Sequence, residues 1–151
     1  MTATEPTLAL QTAIRARLVA SQAVTALVHA DFIFDRHGRP EIGSAVNDAQ
    51  WQLPPTCILI GEGHAVYADR YRTFYDRAYA DLHIWKEELG LAGAKEITAA
   101  LRDALPAGAW LMPGFHAPYV SIAGVRFMRD PGKRHSHGVV TVEAVLKRAA
   151  A

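Results

Sequence analysis

The chain has one cysteine in 151 residues. A lone thiol closes no internal disulfide, which excludes a stapled secreted scaffold and makes a reducing cytoplasm the natural compartment. Cys57 sits in the apolar run Cys57-Ile58-Leu59-Ile60, where a small buried hydrophobe is expected, not an activated nucleophile. No run approaches the roughly 18 apolar residues of a membrane-crossing helix, so no membrane partner is expected. Met1 to Leu10 carries Glu5 and Pro6 and no basic start, which speaks against a secretion signal. An excess of one charge is missing too, since 16 Lys and Arg face 15 Asp and Glu for a net charge of +1. A protein that coats nucleic acid usually carries a strong basic excess.

Catalytic signatures are also absent. There is no C-x-x-C, H-E-x-x-H or G-x-S-x-G pattern, so neither a zinc site nor a nucleophile elbow is indicated. His135-Ser136-His137 places two imidazoles at i and i+2, but a third ligand cannot be named, and the reading is exposed polar residues in a hairpin loop. Gly61-Glu62-Gly63 lacks the third glycine of a dinucleotide fingerprint and the Lys-Ser/Thr of a P-loop, and reads as a turn. Glu87-Glu88 beside Lys86 reads as a solvated cluster. The chain is expected to be no enzyme, with no catalytic residue, no cofactor and no metal.

What is present is a well-supplied core. Half of the residues are hydrophobic, and a chain of this size buries about 68–70% of its unfolded surface. One domain over residues 1–151 is expected. Leu10, Ile14 and Leu18 repeat at helical spacing after Pro6 and Thr7, and Ser21 opens a second short helical piece. Phe32-Ile33-Phe34 reads as briefly extended, and Thr56 to Ile60 as a buried strand ended by Gly61 to His64. Ala78, Ala80, Leu82 and Ile84 alternate with Tyr79, Asp81, His83 and Trp85, the period of a half-buried strand. Leu91, Ala94, Ile97, Leu101 and Leu105 form a helical stripe stopped by Pro106 and Gly108. Val120 to Phe127 reads as a strand with a bulge at Ala123-Gly124, followed by an Arg129–Gly132 turn and a strand through Val140, Val142, Ala144 and Leu146. The pattern predicts an α+β fold: an antiparallel sheet of about four strands with two main helices on one face.

Two segments stand out as contact candidates. Residues 35–55, rich in Gly, Pro and polar residues, read as a long loop. Tyr67, Arg70, Tyr71, Arg72, Phe74 and Tyr75 interleave aromatics with cations. That mixture suits a protein interface. It also suits single-stranded nucleic acid, although Asp69 and Asp76 would repel phosphate. A second basic group, Arg129, Lys133 and Arg134 with Arg126 nearby, occupies the final hairpin.

The order and spacing of several stretches resemble one family. They are the helix Leu8–Leu18, Val24–Val28, Ile33-Phe34-Asp35, Pro54–Glu62, Leu82-His83-Ile84-Trp85, Gly93–Ile97, Ala99–Leu105, Phe127–Gly132 and His137–Val140. Together, over residues 8–146, they resemble the tail terminator, or tail completion, proteins of siphophages, prophages and gene transfer agents. The resemblance implies helices packed on an antiparallel sheet and a homo-hexameric ring at the head-proximal end of the tail. Its implied partners are the tail tube protein below and the head–tail connector or stopper protein above. DNA would pass through the lumen without sequence recognition. Another neck component, a minor tail protein or a small nucleic-acid-binding module are the competing readings.

Overall fold

The computed structural model describes residues 5–35, 55–68, 75–132 and 134–149. Most of the 35–55 loop, Arg70, Tyr71, Arg72, Phe74 and Lys133 lie outside the described residues.

Helix α1 (Pro6–Ala20) starts where the fixed φ of Pro6 is already helical. The Glu5 carboxylate accepts the free amides of Thr7 and Leu8 at 2.8 and 3.1 Å. Burial pushes the Glu5 pKa up, and hydrogen bonds from Thr7, Leu8 and Tyr67 outweigh it, leaving the group below its ordinary value. Ala9, Leu10, Ile14 and Leu18 form the buried stripe. Ser21 turns extended, ends α1 and caps α2 (Gln22–Thr25) by accepting the Val24 amide. A 3₁₀ turn (Ala30–Phe32) leads into β1 (Ile33–Phe34).

The remaining elements are β2 (Thr56–Val66), β3 (Asp76–Glu87), α3 (Ala92–Ala104), β4 (Gly108–Met112), β5 (Phe115–Arg129) and β6 (His135–Arg148). They form one sheet in the order β1-β2-β3-β6-β5-β4. Every neighbouring pair is antiparallel except β1 and β2. The fold class is the expected α+β, with α1 and α3 packed into the same core on one face. The strand number is larger than expected: six strands lie among the described residues. β1 is the segment expected to be briefly extended, and the strand that the pattern missed is β4, where only Trp110 and Met112 turn inward.

Bulges decide which side chains reach which face. Strict alternation from Ile58 and Ile60 would send His64 and Val66 into the core. The register shifts between Ile60 and Gly63 instead. His64 and Val66 therefore join Tyr79 and Arg77 on the helix-free face. Gly61-Glu62-Gly63 is thus part of β2 and not its end. A Cβ on Gly63 would lie 2.6 Å from the Tyr79 carbonyl oxygen, so the close crossing needs glycine. The bulge expected near Ala123-Gly124 is present between Ile122 and Gly124.

The expectation for Glu88 fails. Its carboxylate accepts the Gly93 amide at 2.9 Å, the Ala94 amide at 3.2 Å and the Ser136 hydroxyl at 2.6 Å. It supplies the N-terminal cap of α3 that Leu91 cannot make. Burial pushes its pKa up, but Ser136, the two amides and the Lys86 charge together hold it below the ordinary carboxylate value. Sequence spacing hides this cap because Glu88 acts from outside the helix.

Candidate assembly surfaces

Tyr67 and Tyr75 flank the β2–β3 connection and are 59% and 44% exposed. They do not pack on the chain's own core. The Tyr67 hydroxyl donates to Glu5 Oε1 at 3.4 Å, which ties this end of the sheet to the start of α1. Asp76 is turned inward, accepts the Ala68 amide at 2.6 Å and lies 3.9 Å from Arg148. Arg77 lies 3.8 Å from Glu143.

Arg129 and Arg134 lie at the β5–β6 turn and are exposed. The turn is closed by the Asp130 amide donating to the His135 carbonyl and the Glu88 amide donating to the Arg134 carbonyl. The registers of β2 with β3 and β3 with β6 put Tyr67 and Tyr75 at one end of the sheet and this turn at the other. Twelve residues of β3 separate them, roughly 36–40 Å at about 3.3 Å per residue. The structure does not bring the two predicted clusters together.

The helix-free face carries groups the sequence reading assigned elsewhere. His135-Ser136-His137 is not in a hairpin loop but inside β6. Ser136 turns to the core side and Glu88, while His135 and His137 turn to the open side. His137 stacks on Trp85 at 3.8 Å, and its Nε2 lies 2.9 Å from His83 Nδ1. Glu62 approaches His83 Nε2 at 3.4 Å. Further along the same face, His64 stacks on Tyr79 at 4.4 Å, and the Thr141 hydroxyl donates to Asp81 at 2.6 Å. A cleft of about 420 Å³ lies among Asp35, Leu59, Glu62, His83, Trp85 and His137. Desolvation, then the His83 and Arg126 charges against Asp130, lowers the His137 pKa to about 4. This imidazole is neutral at pH 7 and serves as a packing and hydrogen-bonding group. Among the described residues, no three His, Cys, Asp or Glu side chains converge as metal ligands. The alternation at 79, 81, 83 and 85 places His83 on this face, but only pairing with β6 supplies His137.

Cys57 is fully buried on the same side, against Phe34 and Leu59, and burial pushes its thiol up to about 12. An open groove of about 820 Å³ runs between α3 and β5, flanked by Lys95, Thr98 and Arg102 and floored by Ile122, Val125 and Phe127.

The model of the family described as Tail completion protein gp17 matches residues 12–147. The chain belongs to that family. This tail completion protein is accordingly a structural protein of phage-type tails. Its fold matches a chain described as "Virion of native gene transfer agent (GTA) particle", with a TM-score of 0.75 and 17% identity, covering 95% of this chain and 98% of that one. No curated protein sequence matches it significantly. No helix among its described residues is long and apolar enough to cross a membrane.

Proposed function

We infer that this tail completion protein is the tail terminator: a hexameric ring that caps the tail tube, stops its polymerisation and joins it to the head connector or stopper. The observation that carries the reading is the separation of two unlike surfaces by the full length of the sheet. Tyr67 and Tyr75 mark one end, and the basic Arg129–Arg134 turn marks the other. A terminator needs this polarity, since one face must match the tube and the opposite face must refuse another tube ring. A stiff sheet core holds both faces in fixed relation. A ring closes only through head-to-tail contacts between unlike surfaces of one chain.

DNA passes through the lumen of such a ring without being read. The charge balance of +1 suits passage without tight retention. Arg77 is already beside Glu143, and Asp76 beside Arg148. The start of β3 therefore resembles a protein contact more than a phosphate groove. The role is structural, with no turnover.

Deletion of the gene followed by electron microscopy of the particles tests the reading. Tails of uncontrolled length that fail to join heads are expected, and particles of normal length and attachment would refute it. Labelling of the protein in intact particles separates this role from that of a stopper or minor tail protein. The label belongs at the head-proximal end of the tube.

A further inference from the structure

The outer edge of β5 is only half used. β4 pairs with it from Phe115 to Val120, which leaves Ser121–Arg129 without a strand partner on that side among the described residues. This edge lies on the opposite side of the sheet from β1 and β2, and the chain that leads into it, from α3 through β4 to β5, is described throughout. Beside the edge runs the open groove of about 820 Å³ between α3 and β5. Its floor is Ile122, Val125 and Phe127, which pack against the core but are only partly buried. Pairing with β6 is regular from Gly124 to Arg129, a run of roughly 20 Å at about 3.3 Å per residue. An open strand edge presents unpaired amides and carbonyls, and an extended chain laid along it satisfies them.

The wall that α3 presents to this groove decides what such a chain must carry. Lys95, Thr98, Ala99 and Arg102 stand at i, i+3, i+4 and i+7, so they form one stripe along the groove. Lys95 and Arg102 are both exposed and lie about 10 Å apart along the helix axis. Lys95 Nζ sits over the Phe127 ring, 5.7 Å from its centroid. Among the described residues neither cation has a carboxylate within ion-pair distance, and the groove lining holds no Asp or Glu. Glu96 and Asp103 follow the same spacing one position on, about 100° round the helix. Between the two cations stand Ala99 and the apolar floor. In an extended chain, residues four apart share a face and lie roughly 13 Å from each other, a mismatch that the long Lys and Arg side chains absorb. The matching segment therefore has carboxylates at i and i+4 and an apolar residue at i+2. Asp31-Phe32-Ile33-Phe34-Asp35 has that pattern within this chain, but Ile33 is fully buried in the chain's own core and is already occupied.

We propose that the β5 edge and the α3 groove together receive an extended segment of a different protein, added as a further strand, with two carboxylates flanking an apolar residue. The main chain of that segment pairs along Gly124–Arg129, its apolar side chain lies on Val125 and Phe127, and its carboxylates meet Lys95 and Arg102. The inference is independent of whether the chain is a terminator, a stopper or a minor tail protein, since each must hold a neighbour.

The test is fluorescence anisotropy of the purified full chain with a labelled synthetic peptide. The peptide has about nine residues, chiefly threonine for its extended preference, with valine at the centre and glutamate two positions to either side. Binding is expected, and it should weaken as salt screens the two ion pairs. Hydrogen exchange should slow in the same complex within Ser121–Arg129. Peptides with lysine in place of glutamate, or with the glutamates moved one position to the opposite face, should bind at least about tenfold more weakly. Lys95→Glu with Arg102→Glu should cost the acidic peptide a similar factor. Both residues are exposed, so folding is retained, and circular dichroism confirms it. Ala99→Trp, also at an exposed position, fills the groove without changing its charge and should block the peptide independently. No binding of the acidic peptide, or undiminished binding to the charge-reversed or Trp variant, would overturn the proposal. Competition by a single-stranded oligonucleotide as strong as that of the unlabelled peptide would give the site to phosphate and overturn it too. Self-association that is lost in Lys95→Glu with Arg102→Glu, and that excludes the peptide, would assign the groove to a second copy instead. The tail-length phenotype of the deletion reads the terminator role separately.

Discussion

Acid should weaken this fold through His137, by an amount that follows from its surroundings. The imidazole is stacked on Trp85, faces His83 Nδ1 and lies near Arg126, with Asp130 as the opposing charge. Its pKa falls from 6.5 to about 4. The unfolded chain therefore binds a proton at this site that the folded chain refuses. The stabilisation is fully present above 6.5, falls as the pH drops below that value, and is gone below about 4. At about 1.36 kcal/mol per unit the limit is roughly 3 kcal/mol. The ring is partly exposed, and solvent screening reduces this to ~1–2 kcal/mol. Urea denaturation of the wild type and His137→Gln at about pH 7 and about pH 5 reads the effect. Gln keeps a polar partner for His83 and cannot titrate, so other acid effects cancel in the comparison. The wild type should lose ~1 kcal/mol more than the variant between the two conditions. Equal losses, or an NMR titration that leaves His137 near its ordinary value, would refute the reasoning.

Leu101, fully buried in the stripe of α3, should cost ~2–5 kcal/mol when changed to Ala, read as a lowered denaturation midpoint. Glu88→Ala removes the cap of α3 and the Ser136 partner, and a loss of ~1–2 kcal/mol is expected. Because the Glu88 pKa is lowered, its contribution is present above the ordinary carboxylate range and lost as the pH falls through the folded value. The variant's stability curve should accordingly be flatter in acid. Gly63→Ala drives a methyl group into the Tyr79 carbonyl and should destabilise by ~1–3 kcal/mol in thermal unfolding. Tyr67→Ala with Tyr75→Ala should leave stability within ~0.5 kcal/mol, because both are exposed. The same double variant should yield particles with abnormal tails in electron microscopy, and normal tails would remove this end of the sheet as a contact surface.

Much of the scaffold was written in local pattern. The spacing of Leu10, Ile14 and Leu18, and of Ala94, Ile97 and Leu101, fixed both long helices and their buried sides, because a helix needs only one apolar stripe to declare itself. The alternation around Leu82 and Ile84 and around Val140 and Val142 did the same for β3 and β6. The phase change at Ala123-Gly124 announced the bulge in β5. The order of these stretches was enough for the family resemblance.

What local pattern could not contain is which strands lie side by side. Glu88 read as solvated because its partners, Gly93, Ala94 and Ser136, reach it only when α3 and β6 close around it. His137 read as a loop residue because Trp85 and His83 belong to another strand, and cross-strand register has no signature within a single strand. The extension of β2 through Val66 depended on a bulge that re-aims His64 and Val66 toward Tyr79 and Arg77. The sequence by itself determined the two long helices, the central parts of the long strands with their buried faces, and the absence of a recognisable catalytic motif. Tertiary structure alone decided that Tyr67 and Arg129 stand at opposite ends and that the open face carries a histidine–tryptophan stack. Those properties come from pairing between residues distant along the chain, where loop closure and register, not local propensity, set the outcome.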